Sequence, residues 1–486
     1  MDAKYFPQTA EMLRFLPEII LTLAGTLLLL LEAFKKDDDS RSVISTLAAV
    51  AIGVAMYGTV VAYQNPGLAF SNMIVSDGFA AFFRLVVLGV GLLTVLCSSA
   101  YLEREKSSTG EFYVLLIFSL AGQCLMAAAN ELMMVFIGLE VSSIASYILA
   151  GYLRDDKRGN ESALKYFLLG SFATAFLLYG VAWVYGMTGS TNLHEIRAAV
   201  EKGVPSMTMV SGAVGLMLVG FAFKISAAPF QVWAPDVYQG APAPVSGFLS
   251  AGPKAVAFAV MIRVFQTAFE PLTAKWEPVL WVMALLTMMV GNFAALWQTN
   301  IKRMLGYSSI AHAGYVLVAV TTHSTTGTAA AMFYLACYGL MNYGAFAIVT
   351  SVAGKGEEKV TLDDLKGLSQ RQPAVAALLT IFLLSLIGVP LTAGFFGKFY
   401  IFKAAIDSHM VWLTALGLLN SAVAAYYYLR VLVVMYMHEP ETTEAEVAIP
   451  GGLRITMWLT AGATLVLGIF PGLVLDFATK FAVLGK

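Results

Sequence analysis

Charge is scarce in this chain of 486 residues: Asp, Glu, Lys and Arg make up 13% of it, against about 25% in an average soluble domain. Apolar residues make up 58% and the mean hydropathy is +0.75, an excess that needs a bilayer to absorb it. The formal net charge of −1 gives no basis for a nucleic-acid partner. Cysteine is nearly absent. Cys97, Cys124 and Cys337 each stand alone in an apolar stretch, and no pair has metal-ligand spacing, which argues against an iron–sulfur cluster or structural zinc. Of five histidines, His194, His323, His409 and His438 fall in links or near span ends and only His312 is central, too few ligands for a haem between helices. No Gly-rich dinucleotide fingerprint and no Walker A motif occurs. The chain lacks the means to perform redox chemistry itself; it moves ions passively, exchanges them, or is driven by a partner.

What the chain has instead is a succession of apolar runs of about 20 residues, each long enough to span a bilayer. The first lacks a small-residue cleavage site behind it and reads as retained. The pattern predicts an all-α polytopic membrane protein of about fourteen helices in one transmembrane domain. Helices 1–3 fall within 1–111, helices 4–8 within 112–269, helices 9–13 within 279–437, and helix 14 within 454–486. Spans seven (208–238) and twelve (373–408) are too long for one straight crossing. Each carries an internal break, at Pro229 and Pro235 in one and at Gly388, Pro390 and Gly394 in the other. Broken spans five positions apart predict two repeats of five helices, and an odd number makes successive copies inverted. Loop charge sets the orientation. Placing the first link, 35–41, in the cytoplasm puts fifteen Lys/Arg on that side and seven on the other, as the positive-inside rule requires, with both termini facing out.

The informative residues are ionisable groups near mid-span, where a charge costs about 2.5–3.5 kcal/mol on insertion scales. They are Glu140 in the fifth span, Lys224 in the seventh just before its break, Lys254 in the eighth, His312 in the tenth and Lys398 after the break in the twelfth. Such groups must face a hydrated interior. Burial disfavours the charge of a lysine, and a carboxylate nearby favours it, so Glu140 can tune Lys224 as a proton site, with Lys254 and His312 continuing a relay. Tyr307, Ser308, Ser309 and Tyr315 flank His312 and can hold water. Blander readings stand beside this one. Glu140 and Lys224 could form an inert packing pair, Lys254 could bond helix carbonyls, His312 could be a satisfied core residue, and Lys398 could cap carbonyls freed by the break. Lys165, near the start of the sixth span, suits snorkelling or proton entry. Arg84, Arg263 and Arg430 are expected to reach the interface. The loops at Lys35–Asp39 and 439–446 read as solvated.

Three long strings carry a family resemblance. GFAFKISAAPFQVWAPDVYQGAPAPVSGFLSAGPKAVAF around Lys224, NIKRMLGYSSIAHAGY at 300–315 and GVPLTAGFFGKFYIF at 388–402 resemble the proton-conducting family shared by subunits L, M and N of respiratory complex I and by Mrp-type cation/proton antiporters. The similarity runs over nearly the whole chain. PEIILTLAGTLLLLLEAF, YQGAPAPVSGFLS and YYYLRVLVVMY look like the subunit-N branch; the length leaves no room for the lateral helix of subunit L, and subunit M typically has a glutamate where Lys398 stands. The resemblance implies an ion pair of Glu140 with Lys224, a central relay lysine at Lys254, a terminal lysine at Lys398, a transfer lysine at Lys165 and a relay histidine at His312. It also implies a bacterial inner-membrane location with periplasmic termini, and neighbouring membrane-arm subunits as partners. NAD, FMN, iron–sulfur clusters and quinone are then expected in partner subunits and no cofactor in this chain. A subunit of a sodium/proton antiporter and a purely structural scaffold are the competing readings.

Overall fold

A computed structural model describes residues 8–34, 41–107, 110–203, 206–440 and 449–483. The link residues 35–39 and most of the acidic loop 439–446 lie outside the described residues, as do Lys4 and Lys486. Twenty α-helices follow one another among the described residues. The N-terminal group is α1 (Thr9–Arg14), α2 (Leu16–Ala33), α3 (Arg41–Gln64) and α4 (Gly78–Arg104). Next come α5 (Gly110–Ala128), α6 (Leu132–Ala150), α7 (Lys157–Thr188), α8 (Leu193–Glu201), α9 (Met207–Ile225), α10 (Trp233–Gly240) and α11 (Ala243–Thr267). Then follow α12 (Thr273–Ala295), α13 (Ile301–Thr321), α14 (Thr325–Val352), α15 (Leu368–Arg371), α16 (Pro373–Ile387), α17 (Ala393–Asp407) and α18 (Val411–Met437). The last two are α19 (Gly451–Ile469) and α20 (Gly472–Phe481). Thirteen of these are long and apolar enough to cross a membrane, or fourteen when a bent pair is taken as one span. The chain is a multi-pass membrane protein of the all-α class.

Local chemistry explains several helix starts. Side chains of Asp77, Asn300 and Ser324 accept from the backbone N–H of Ala80, Arg303 and Gly327 and so start α4, α13 and α14, satisfying donors a helix start leaves bare. Two boundaries differ from expectation. The break in the seventh span runs from Ser226, left-handed at φ 61°, to Val232 and holds Pro229 as expected, but Pro235 sits inside the next helix. Pro235 occupies the first turn of α10, where a missing N–H costs nothing. The last span, expected within 454–486, ends at Ile469; Pro471 separates it from α20. A short hairpin, Gly67–Ala69 with Ile74–Ser76, and α8 fill links that carried no sequence signal.

One apolar cluster runs from Leu21 to Ala482, with α11, α13 and α14 the most enclosed helices. The links sort into two faces. On one, Arg104 donates to the Thr350 carbonyl, the Gly356 N–H to Glu105, Arg154 pairs with Glu111 and Lys302 with Glu357. On the other, Asn130 and Asn192 bond the hairpin, Arg263 pairs with Asp77 and Arg197 with Glu270. The links named here alternate between the two faces along the chain. Of the three arginines expected to reach the interface, Arg84 does not: it is 1% exposed and bonds Glu18 at 2.6 Å. Arg263 is held by both oxygens of Asp77 at the start of α4, and Arg430 donates to the carbonyls of Leu296 and Gln298 in the link before α13.

Candidate functional site

The first cluster gathers around the break after α9. Lys224, next to last in that helix and 5% exposed, donates from Nζ to the Ser143 hydroxyl of α6 at 2.8 Å and lies 3.5 Å from the Tyr166 hydroxyl of α7. Glu140 stands one turn before Ser143, so both line the same side of α6. The direct Glu140–Lys224 bond implied by the resemblance is not made: the hydroxyl takes the lysine, and Oε1 of Glu140 is buried without a hydrogen-bond partner. The half-buried acid is nonetheless near enough for its charge to act on the lysine, and a carboxylate favours a cation at short range.

Lys254 and His312 lie in the most enclosed part of the bundle. Every residue in the apolar window of α11 is buried, and Lys254 is 2% exposed. Its Nζ donates to the Ser309 carbonyl at 2.9 Å and to the Ser309 hydroxyl, and lies 5.9 Å from the centre of the Tyr238 ring. On α13, Ser308, Ser309, His312 and Tyr315 share a face by helical spacing. Nδ1 of His312 meets the Tyr334 hydroxyl, Nε2 meets the Tyr428 hydroxyl at 3.2 Å, and Tyr428 also bonds Ser308. Tyr315 bonds Asn292, which accepts from Tyr427. Tyr307 does not join: its ring faces Arg303.

Lys398 completes the series from the other break. It lies on α17 and reaches back, donating to the carbonyls of Leu386 and Ile387 at 3.0 and 2.8 Å and to the Ser421 hydroxyl of α18 at 2.8 Å. Its ammonium lies 4.8 Å from the Tyr315 ring centre, so α13 stands between Lys254 on one flank and Lys398 on the other. A crevice of about 400 Å³ beside Lys398 is lined by Gly388, Phe399, Lys403, Thr414 and Ser421.

Lys165 sits apart from these amines, more exposed, and is no free snorkelling chain: it pairs with Asp236 and Glu161, both at 2.8 Å. Asp236 also accepts from Arg303 at 2.6 Å. Sequence reasoning passed over Ser143, Asp236, Tyr334, Tyr428 and Ser421. Asp236 alone left a trace, as an acid within an apolar span; the others look like ordinary helix residues until the packing aims them inward. Burial and hydrogen bonding leave an arrangement suited to passing protons: amines, an imidazole and hydroxyls, each able to donate and, once deprotonated or rotated, to accept.

A family model described as "NADH:quinone oxidoreductase/Mrp antiporter, TM" matches residues 129–424. Over 480 residues, 98% of each chain, this chain is 63% identical to "NADH-quinone oxidoreductase subunit N 1" of Solibacter usitatus. It is 45% identical to "NADH-quinone oxidoreductase subunit N" of Trichlorobacter lovleyi over 97% of each. A chain of respiratory complex I from Thermus thermophilus with bound aureothin is similar at 34% identity, over 95% of this chain and 99% of that one, with a TM-score of 0.81. A chain of the Mrp complex from Dietzia sp. DQ12-45-1b has a TM-score of 0.84 at 21% identity, over 98% and 97% of the two chains, a likeness of fold alone. With its full length matched and its buried amines set on the matched helices, the chain belongs to the NADH:quinone oxidoreductase/Mrp antiporter transmembrane family, in its subunit-N branch.

Proposed function

We propose that this chain is a proton-translocating membrane-arm subunit of a bacterial NADH:quinone oxidoreductase, driven by quinone reduction elsewhere in the complex. The observation that carries this is α13, which presents Ser309 to Lys254, His312 to two tyrosines and Tyr315 to Lys398. In this reading Glu140 governs Lys224, protons pass by way of Lys254 and His312 to Lys398, and Lys165 stands at an entry. NAD, FMN, iron–sulfur clusters and quinone belong to partner subunits, among which the neighbouring membrane-arm subunits pack against this chain. The chain resides in the inner membrane with both termini periplasmic; a reporter in the 189–207 link that reads as cytoplasmic would overturn that orientation. Helices 112–269 and 279–437 form two inverted repeats, testable by superposition about an axis in the membrane plane.

The deciding experiment is Lys224→Ala, with complex abundance read on native gels beside proton uptake by vesicles. Uptake should fall at least about tenfold, or about 1.4 kcal/mol in barrier terms, with the complex still assembled. If the pair is only packing, removing one partner costs about 3–5 kcal/mol and an apolar double replacement repairs it. A Glu140→Leu, Lys224→Met double variant that assembles and pumps normally would sink the relay.

A further inference from the structure

The eight-residue helix α10 is held at two points, and they connect the two halves of the site. At its start Trp233 stacks on Tyr166 of α7, ring centres 4.4 Å apart and planes 9° from parallel. Its indole N–H donates at 2.9 Å to the carbonyl of Phe223, the residue before Lys224, and Tyr166 is the residue whose hydroxyl lies beside the Lys224 amine. One turn further on, Asp236 divides its carboxylate. Oδ2 accepts from Lys165, the chain neighbour of Tyr166, at 2.8 Å, and Oδ1 accepts from Arg303 at 2.6 Å. Arg303 lies in the first turn of α13, the helix that carries Ser309 and His312.

We propose that Asp236 is a positioning residue for proton transfer: its shared carboxylate locks the helix after the α9 break to α7 and α13 together. A displacement at Lys224 is then felt at Lys254 and His312 as a shift of one packed unit. The inference rests on the proton-translocating reading above. Aspartate suits the task because an ionised carboxylate accepts at both oxygens from two cations. Asparagine has one acceptor oxygen and turns an amide donor towards the second cation, so one limb must let go. Glutamate keeps both acceptors on a longer stem.

The test compares Asp236→Asn and Asp236→Glu in the whole complex. Abundance is read on native gels, coupled NADH oxidation and proton uptake in inverted vesicles, and artificial-acceptor reduction as a control for the peripheral arm. The expected result for Asp236→Asn is normal abundance and acceptor reduction with proton uptake down severalfold, and for Asp236→Glu recovery of most of the uptake. Normal uptake in the Asn variant overturns the proposal, as does equal loss in both variants with the complex intact. If the Asn variant does not assemble, Arg303→Gln cuts the limb to α13 and decides the matter. Reduced uptake in the assembled variant supports the proposal, and normal uptake, or failure to assemble, overturns it in favour of a packing role. Normal Asp236→Asn beside an inactive Lys224→Ala removes this inference alone, whereas normal uptake in both removes the proton-translocating reading as well.

Discussion

The two interrupted spans solve the same problem in different ways. Both halt at a left-handed residue, Ser226 at φ 61° after α9 and Gly388 at φ 96° after α16. Lys224 precedes its break by two residues and reaches sideways to hydroxyls on α6 and α7; Lys398 follows its break by ten and reaches back to carbonyls of the half-helix before it. A helix C-terminus carries roughly half a negative charge, so the backbone itself partners the Lys398 ammonium. Lys224 depends on side chains, which rotate, and on the neighbouring acid Glu140. In the proton-translocating reading proposed above, Lys224 is the amine whose partners can change and Lys398 the one whose partners are largely fixed. The difference in register also means that a superposition of the two breaks cannot superpose the lysine backbones; only their amine ends can correspond.

The sharpest way to break this comparison is at Glu140. Glu140→Gln should lower proton pumping about tenfold or more, since each 1.36 kcal/mol lost is a factor of ten in rate, whereas Glu140→Asp keeps the charge and retains much of the activity. Vesicle proton uptake normalised to complex abundance measures both; equal activity of Gln and wild type would remove the acid from the mechanism. Next comes stability. Lys398→Met leaves two half-helix carbonyls without their donor, which costs about 1–3 kcal/mol for buried acceptors. Lys224→Met frees only hydroxyls, which can turn to other acceptors, and should cost less than about 1 kcal/mol. Thermal inactivation of the purified complex compares them, and a reversed order would refute the distinction. The remaining effects concern the breaks themselves. Gly388→Ala forces a side chain into the left-handed region at about 1–2 kcal/mol and sets its Cβ 3.2 Å from Lys398 Cδ. Ser226→Gly should be neutral or stabilising by less than about 1 kcal/mol, which the same inactivation assay reads.

The contrast between the two breaks also marks the limit of what sequence shows. Gly388 and Pro390 announced the second break, because glycine and proline are chemically marked for it. Ser226 announced nothing: a serine in a left-handed turn looks like any serine, and Pro229 marked the break without showing where it begins. The central ionisable residues were legible for a simple reason. Glu140, Lys224, Lys254, His312 and Lys398 are anomalies against their own apolar surroundings, and an insertion penalty belongs to each residue singly.

Their partners were not legible. Ser143 is 81 residues from Lys224, Ser309 is 55 from Lys254, and Asp236 is 71 from Lys165 and 67 from Arg303. Arg84 looked free to reach water until Glu18 was brought beside it. By itself the sequence determined that this chain crosses a membrane many times, where those crossings lie, and which charges stand in their midst, because apolar length and composition act locally. Only the tertiary structure decided which hydroxyl, carbonyl or carboxylate each charge meets. Hydrogen bonds form over about 3 Å and in fixed directions, and helices far apart in the chain must pack before any such geometry exists.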